Sequence, residues 1–146
     1  MSRGLLAKAE TAVDASPQRV WQALTDPDEI AQYMFGARVL TDWKVGSPIT
    51  WKGEWKGKPY EDKGEILRVE PERMLQYTHY SGMSGKSDIP ENYHTVTITL
   101  SGQARQTIVT LTQDNNPDEN AKKHSDDNWA MMLKGMKRIA EQGHIQ

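Results

Sequence analysis

Near residue 115 the spacing of apolar residues changes from two to between three and four, and that switch limits the fold more than any motif does. From about residue 37 to 114 the period is two. Ile49, Trp51, Gly53 and Trp55 alternate with Thr50, Lys52, Glu54 and Lys56, as a strand does when one face is buried and the other wet. Leu67 and Val69 continue the pattern less regularly, then the run from Met74 to Tyr80, then His94, Val96, Ile98 and Leu100, then Thr107, Val109 and Leu111. Gly57-Lys58-Pro59, Pro71-Glu72-Arg73 and Ser101-Gly102-Gln103 punctuate these runs as turns. Asn115 to about Asn120 is a polar connector. Beyond it Trp129, Met132, Leu133, Met136, Ile139 and Ala140 stand three or four apart, which predicts a helix with one apolar stripe over three turns. Gly143 is its expected stop.

The N-terminal third adds two short helices. Leu6 to Val13 reads as a strand with Lys8 and Glu10 between small apolar residues. Ser16-Pro17 follows as an N-cap and first helical residue, since Pro at that position loses no hydrogen bond. Val20, Trp21 and Leu24 give the helix its apolar face. Asp26-Pro27-Asp28-Glu29 starts a second helix, with acids at the positive end of its dipole. Ile30, Tyr33 and Met34 form its apolar side and Gly36 ends it. Helices near the start and at the end of successive antiparallel strands predict an α+β fold, a curved sheet with helices on one face. No repeat or linker divides the chain, so a single domain over 1–146 is expected, with an ordered core from about 5 to 142.

Composition removes several function classes. Eighteen basic and 20 acidic side chains give a net charge of −2 without a basic tract or an acidic tail, so neither nucleic acid nor a membrane surface is expected as partner. The longest apolar runs are a few residues, too short for a membrane span or a signal peptide. There is no cysteine, which excludes disulfides, thiolate metal sites and a cysteine nucleophile. A cytoplasmic location is the simplest expectation.

The order strand, two short helices, strands and a long last helix resembles the helix-grip fold of the START/SRPBCC superfamily, which includes the birch-pollen-allergen-like proteins. Within it the chain is similar to the family of the heat-shock-protein-90 ATPase activator homologues, through their C-terminal domain. The likeness is carried by the run from Ala15 to Pro27 (Ala-Ser-Pro-Gln-Arg-Val-Trp-Gln-Ala-Leu-Thr-Asp-Pro), by Lys44-Val45-Gly46-Ser47, by Gly64-Glu65-Ile66, by Pro71-Glu72-Arg73-Met74-Leu75, and by Trp129, Met132, Leu133 and Met136. These are caps, turns and core positions, so they speak for fold more than for function. Tyr33 stands where the family commonly has Trp, and Val45-Gly46-Ser47 replaces a more usual Val-Gly-Gly. The chaperone activators also carry a separate N-terminal domain for which this sequence leaves no room, which sets chaperone activation apart from what the likeness implies.

Catalytic apparatus is not visible. His79, His94, His124 and His144 lie in different elements without the spacing that makes ligands converge on a metal. His79 shares strand parity with Leu75 and Tyr77 and so is expected on the concave side, and His94 shares parity with Val96 and Ile98. Gly85-Lys86-Ser87 lacks the preceding glycine and the strand-to-helix setting of a phosphate loop. There is no serine elbow and no dinucleotide fingerprint. Glu54 and Glu65 fall on wet faces. No cofactor is called for.

The resemblance implies a cavity, because a straight helix over a strongly bent sheet leaves space beneath it. Its expected lining is Tyr33 from the second helix, Trp51, Trp55, Tyr77 and His79 from the sheet, and Trp129, Met132 and Met136 from the last helix. Such walls suit a hydrophobic or aromatic small molecule, with the loop at 81–91 as a lid. Two alternatives stand beside this expectation. One is an enzyme similar to polyketide cyclases and aromatases, which requires a titratable group in the pocket, His79 or His94 with a Tyr. The other is a chaperone-associated stress-response interaction module, which requires a filled core and an exposed apolar patch.

Overall fold

A computed structural model describes residues 4–82, 85–103 and 105–143, with Trp55 and Gly143 described through their backbone alone. Strand β1 (Leu5–Val13) leads into helices α1 (Pro17–Thr25) and α2 (Pro27–Tyr33). Strands β2 (Arg38–Leu40), β3 (Pro48–Trp55), β4 (Lys58–Glu70), β5 (Met74–Ser81), β6 (His94–Gln103) and β7 (Gln106–Asn116) follow, and α3 (Glu119–Gly143) ends the chain. The strands form one antiparallel sheet in the order β1-β7-β6-β5-β4-β3-β2. The first strand therefore pairs with the last, and the others meander. This is the α+β helix-grip architecture expected from the sequence.

The caps sit where the sequence places them. Ser16 accepts a hydrogen bond from the Arg19 N–H through its Oγ at 3.2 Å. Asp26 accepts from the Asp28 N–H at 2.9 Å, starting α2 directly after α1. The stripe on α3 also lies as expected, with Leu133, Met136 and Ala140 buried and Trp129, Met132 and Ile139 packed at its margins. They meet Val13, Ile66, Leu75, Val96, Val109 and Leu111 from the sheet in one apolar core.

Three local features depart from the sequence reading. A bulge in β4 between Ile66 and Arg68 shifts the alternation by one residue. Ile66 is fully buried, while Leu67, from which the phase was read, is only half-buried. Just before it, a methyl group at Gly64 would fall 1.7 Å from the Thr78 carbonyl oxygen, so β4 and β5 approach each other where only glycine fits. Gly102, read as part of a turn, instead pairs with Thr107 inside the β6–β7 ladder. Its missing side chain lets Pro17 of α1 come close, 3.2 Å from where a Cβ would lie. Finally, the described part of the 81–91 loop folds against the sheet face turned away from α3. There Tyr80 stacks on Tyr93 with centroids 5.2 Å apart and donates through its hydroxyl to the Lys86 carbonyl at 2.6 Å. Lys63 pairs with Asp88, which also accepts from the Tyr93 hydroxyl. In this arrangement the described segment lies on the wrong face to cover the concavity.

Candidate functional site

The sheet bends around α3 and the two short helices, and two unequal spaces remain on the concave side. The inner one holds only about 30 Å³ and is lined by core residues including Leu24, Ile49, Trp51, Leu75 and Tyr77. That is room for about one water molecule. The outer one is an open cleft of about 580 Å³ between the end of α2, the sheet and the N-terminal half of α3. Tyr33, Met34 and Met132 line both spaces and form the partition between them.

The cleft is built from three sides. Tyr60, His79 and Gln113 rise from β4, β5 and β7; Ser125, Asn128, Trp129, Met131 and Met132 come from α3; Tyr33, Met34 and Phe35 close the end. Phe35 and Met131 form an exposed apolar rim, 74% and 56% open to solvent. Tyr33 is fixed by its hydroxyl, which donates to the Ala23 carbonyl at 2.7 Å. Burial, with Tyr77 and Glu29 nearby, raises its pKa well above the usual phenol range, so it serves as a neutral wall. Burial also raises Tyr77. Tyr60 is raised by burial and then by the Asp62 carboxylate.

His79 is held from three directions. Its Nε2 lies 3.0 Å from Asp62 Oδ2, and a carboxylate can only accept, so Nε2 carries the proton and the imidazole's Nδ1 keeps its lone pair when neutral. Trp51 meets the ring edge-on at 5.1 Å and His94 lies 6.5 Å away. His94 Nδ1 donates to the Asp114 carbonyl at 2.8 Å. Burial lowers the His94 pKa, and charge on His79 works the same way, against the Asp114 carbonyl that raises it. On the other flank, the Trp129 Nε1 donates to Gln113 Oε1, so the Gln113 amide group turns its N–H donors elsewhere. Among the described residues no group of three or more His, Asp or Glu converges as a metal would need.

Of the eight residues expected to line the cavity, Tyr33, His79, Trp129 and Met132 lie on the cleft, and Trp51 and Tyr77 on the inner space. Met136 is fully buried in the core, away from both. The side chain of Trp55 lies outside the described residues. Sequence reasoning missed Met34, Phe35, Tyr60, Gln113, Ser125, Asn128 and Met131. Gln113 did carry a signal: it continues the inward parity of Val109 and Leu111.

A family model described as activator of Hsp90 ATPase homolog 1-like protein matches residues 14–141. The chain belongs to that family. It is 52% identical to ChR145 from Cytophaga hutchinsonii, whose solution structure matches over 98% of both chains with a TM-score of 0.85. The Aha1 dimer from Colwellia psychrerythraea is 21% identical, with 94% of this chain and 96% of that one covered and a TM-score of 0.73. DynU16, from the dynemicin biosynthetic locus, is also 21% identical; the match covers 95% of this chain and 48% of that one, with a TM-score of 0.78. The last two likenesses establish fold alone. No curated protein matches the chain. Among the described residues no helix is long and apolar enough to cross a membrane.

Proposed function

We propose that this protein binds a hydrophobic or aromatic small molecule in the open cleft beside α3. The observation that carries this reading is the cleft itself, whose volume of about 580 Å³ falls within the roughly 300–1,000 Å³ usual for ligand sites. Its walls are aromatic rings and methionines, with a few polar groups on the sheet side, which is the composition such sites share. The site is this open cleft rather than the internal cavity expected from sequence, because the inner space of about 30 Å³ is too small for an organic ligand. The exposed Phe35 and Met131 sit on its rim, where a bound ligand would cover part of them.

The test is a titration of lipids and aromatic compounds followed by tryptophan fluorescence and two-dimensional amide spectra. Saturable shifts clustered at Trp129, Met132, His79 and Gln113 are expected. Shifts confined to the outer sheet face around Tyr93, or none with any compound, would reject the reading.

The His79–Asp62 pair favours a second reading, in which the cleft does chemistry on its ligand as a cyclase does. A neutral imidazole oriented by a carboxylate is a competent general base, and the fold likeness to DynU16 is compatible with a biosynthetic role. Turnover of a bound poly-β-carbonyl model compound that stops in His79→Phe would favour this reading. Binding without turnover would leave the protein a carrier.

A further inference from the structure

The polar groups of the cleft are not interchangeable, and their arrangement restricts the ligand. At one end stands His79, with Asp62 behind it. With Nε2–H committed to Asp62 Oδ2, His79 Nδ1 has no partner among the described residues, and the imidazole is 25% exposed on the cleft. Asp62 Oδ1 is buried and no described group donates to it. Both are acceptors. At the other end stands Gln113, whose Oε1 already accepts from Trp129 and whose Nε2 has no partner among the described residues. That group is a donor only. β5 and β7 are separated by β6, and Gln113 lies two residues along the ladder from the level of His79, so strand spacing and rise together put the two ends roughly 12 Å apart.

We infer that the cleft selects a flat aromatic molecule with an acidic hydroxyl at one end and a carbonyl at the other. The hydroxyl donates to His79 Nδ1 and the carbonyl accepts from Gln113 Nε2, while Trp129 and Met132 cover its face. Carboxylates are disfavoured by the acceptors at His79 and by the Asp62 charge behind it. A plain hydrocarbon would leave these polar groups without partners, at a cost in affinity. This inference rests on the ligand-binding reading of the cleft and adds the chemistry of what enters it.

Umbelliferone has a phenolic hydroxyl and a lactone carbonyl at opposite ends of a rigid bicycle, and its methyl ether removes only the donor. With the full-length protein at neutral pH, umbelliferone is expected to bind about tenfold more tightly than the ether, as a hydrogen bond to a polarised acceptor warrants. His79→Phe should abolish that preference while retaining the ether. Gln113→Glu keeps the shape and the bond from Trp129 but turns the donor into an acceptor, and should weaken both compounds. Amide spectra of each variant report whether it folds. Equal binding of the two compounds to the wild-type cleft would overturn this inference and leave the binding reading standing. Failure of both coumarins, with other aromatics still shifting Trp129, would also overturn it. Only the absence of any cleft ligand would remove the two together.

Discussion

Gly135 of α3 rests directly on Tyr33 of α2, so closely that a methyl group in place of its hydrogen would lie 2.8 Å from Tyr33 Cβ. The two helices can therefore approach only at a residue with no side chain, and Tyr33 in turn divides the cleft from the inner space. A Gly-to-Ala change inside a helix ordinarily gains about 1 kcal/mol. Here the overlap costs about 1–3 kcal/mol, so Gly135→Ala is expected to lower stability by up to about 2 kcal/mol and to move the Tyr33 resonances. Urea unfolding measures the first. A more stable variant would mean that the contact yields easily.

Arg19 ties all three helices together. Its guanidinium donates to the carbonyls of Ile139 and Ala140 at 2.9 and 3.1 Å and to Glu29 Oε2 at 3.0 Å. Glu29 Oε1 lies 2.8 Å from Nη2, a charge contact rather than a second hydrogen bond. Arg19→Met removes the cation and leaves a largely buried carboxylate alone, which should cost about 2–4 kcal/mol. Adding Glu29→Leu should restore much of that loss, because the stranded charge is then gone. A double variant as unstable as the single one would assign the cost to the α3 carbonyls instead.

Acid should weaken the fold through His94. Burial lowers its pKa below the ordinary imidazole value, so in the window beneath about pH 6.5 the unfolded chain binds more protons than the folded one. Stability is complete above that window and falls as the pH drops through it. His79, Lys86 and Asp114 all bear on the same imidazole, so the slope reflects His94 together with its neighbours. His94→Gln should flatten the dependence of urea midpoints on pH across this range. An unchanged slope would exclude His94 as its source.

Met132 is one of three residues forming the partition between cleft and inner space. Met132→Ala should merge the two volumes and cost about 2–3 kcal/mol, since a half-buried methionine is lost without collapse around it. Ligands one ring longer should then bind better than in the wild type, read by the same fluorescence titration. Unaltered size selectivity would show that Tyr33 and Met34 alone keep the spaces apart.

How much of this was legible follows from where the alternation is regular. β5 and β7 keep a strict period, so the inward position of His79 could be read directly, and that of Gln113 was available by the same count. β4 breaks its period at the bulge after Ile66. Taking the phase from Leu67 and Val69 turns Asp62 outward, so the acid that orients His79 was invisible despite lying in a well-signalled strand. Phe35 and Met131 carry no periodic signal, because a rim is defined by the shape of the opening rather than by burial. The helical stripe showed that Met132 and Met136 face inward, but not that one edges a cleft while the other is sealed in the core.

The pairing of β1 with β7 has a kinetic corollary. Thr11 lies opposite Val109, Asn116 donates through its side chain to the Leu5 carbonyl at 2.9 Å, and the Lys8 N–H on the sheet's edge is met by Asp126 of α3 at 2.8 Å. The meander from β3 to β7 can assemble from neighbouring hairpins, each closing a short loop. The seam at β1 closes a loop of about a hundred residues and gains its contacts only when the rest is nearly in place. The strand that comes first in this sheet's chain order is thus expected to be the last to find its register, and the wall that carries α3 is completed in the final step of folding.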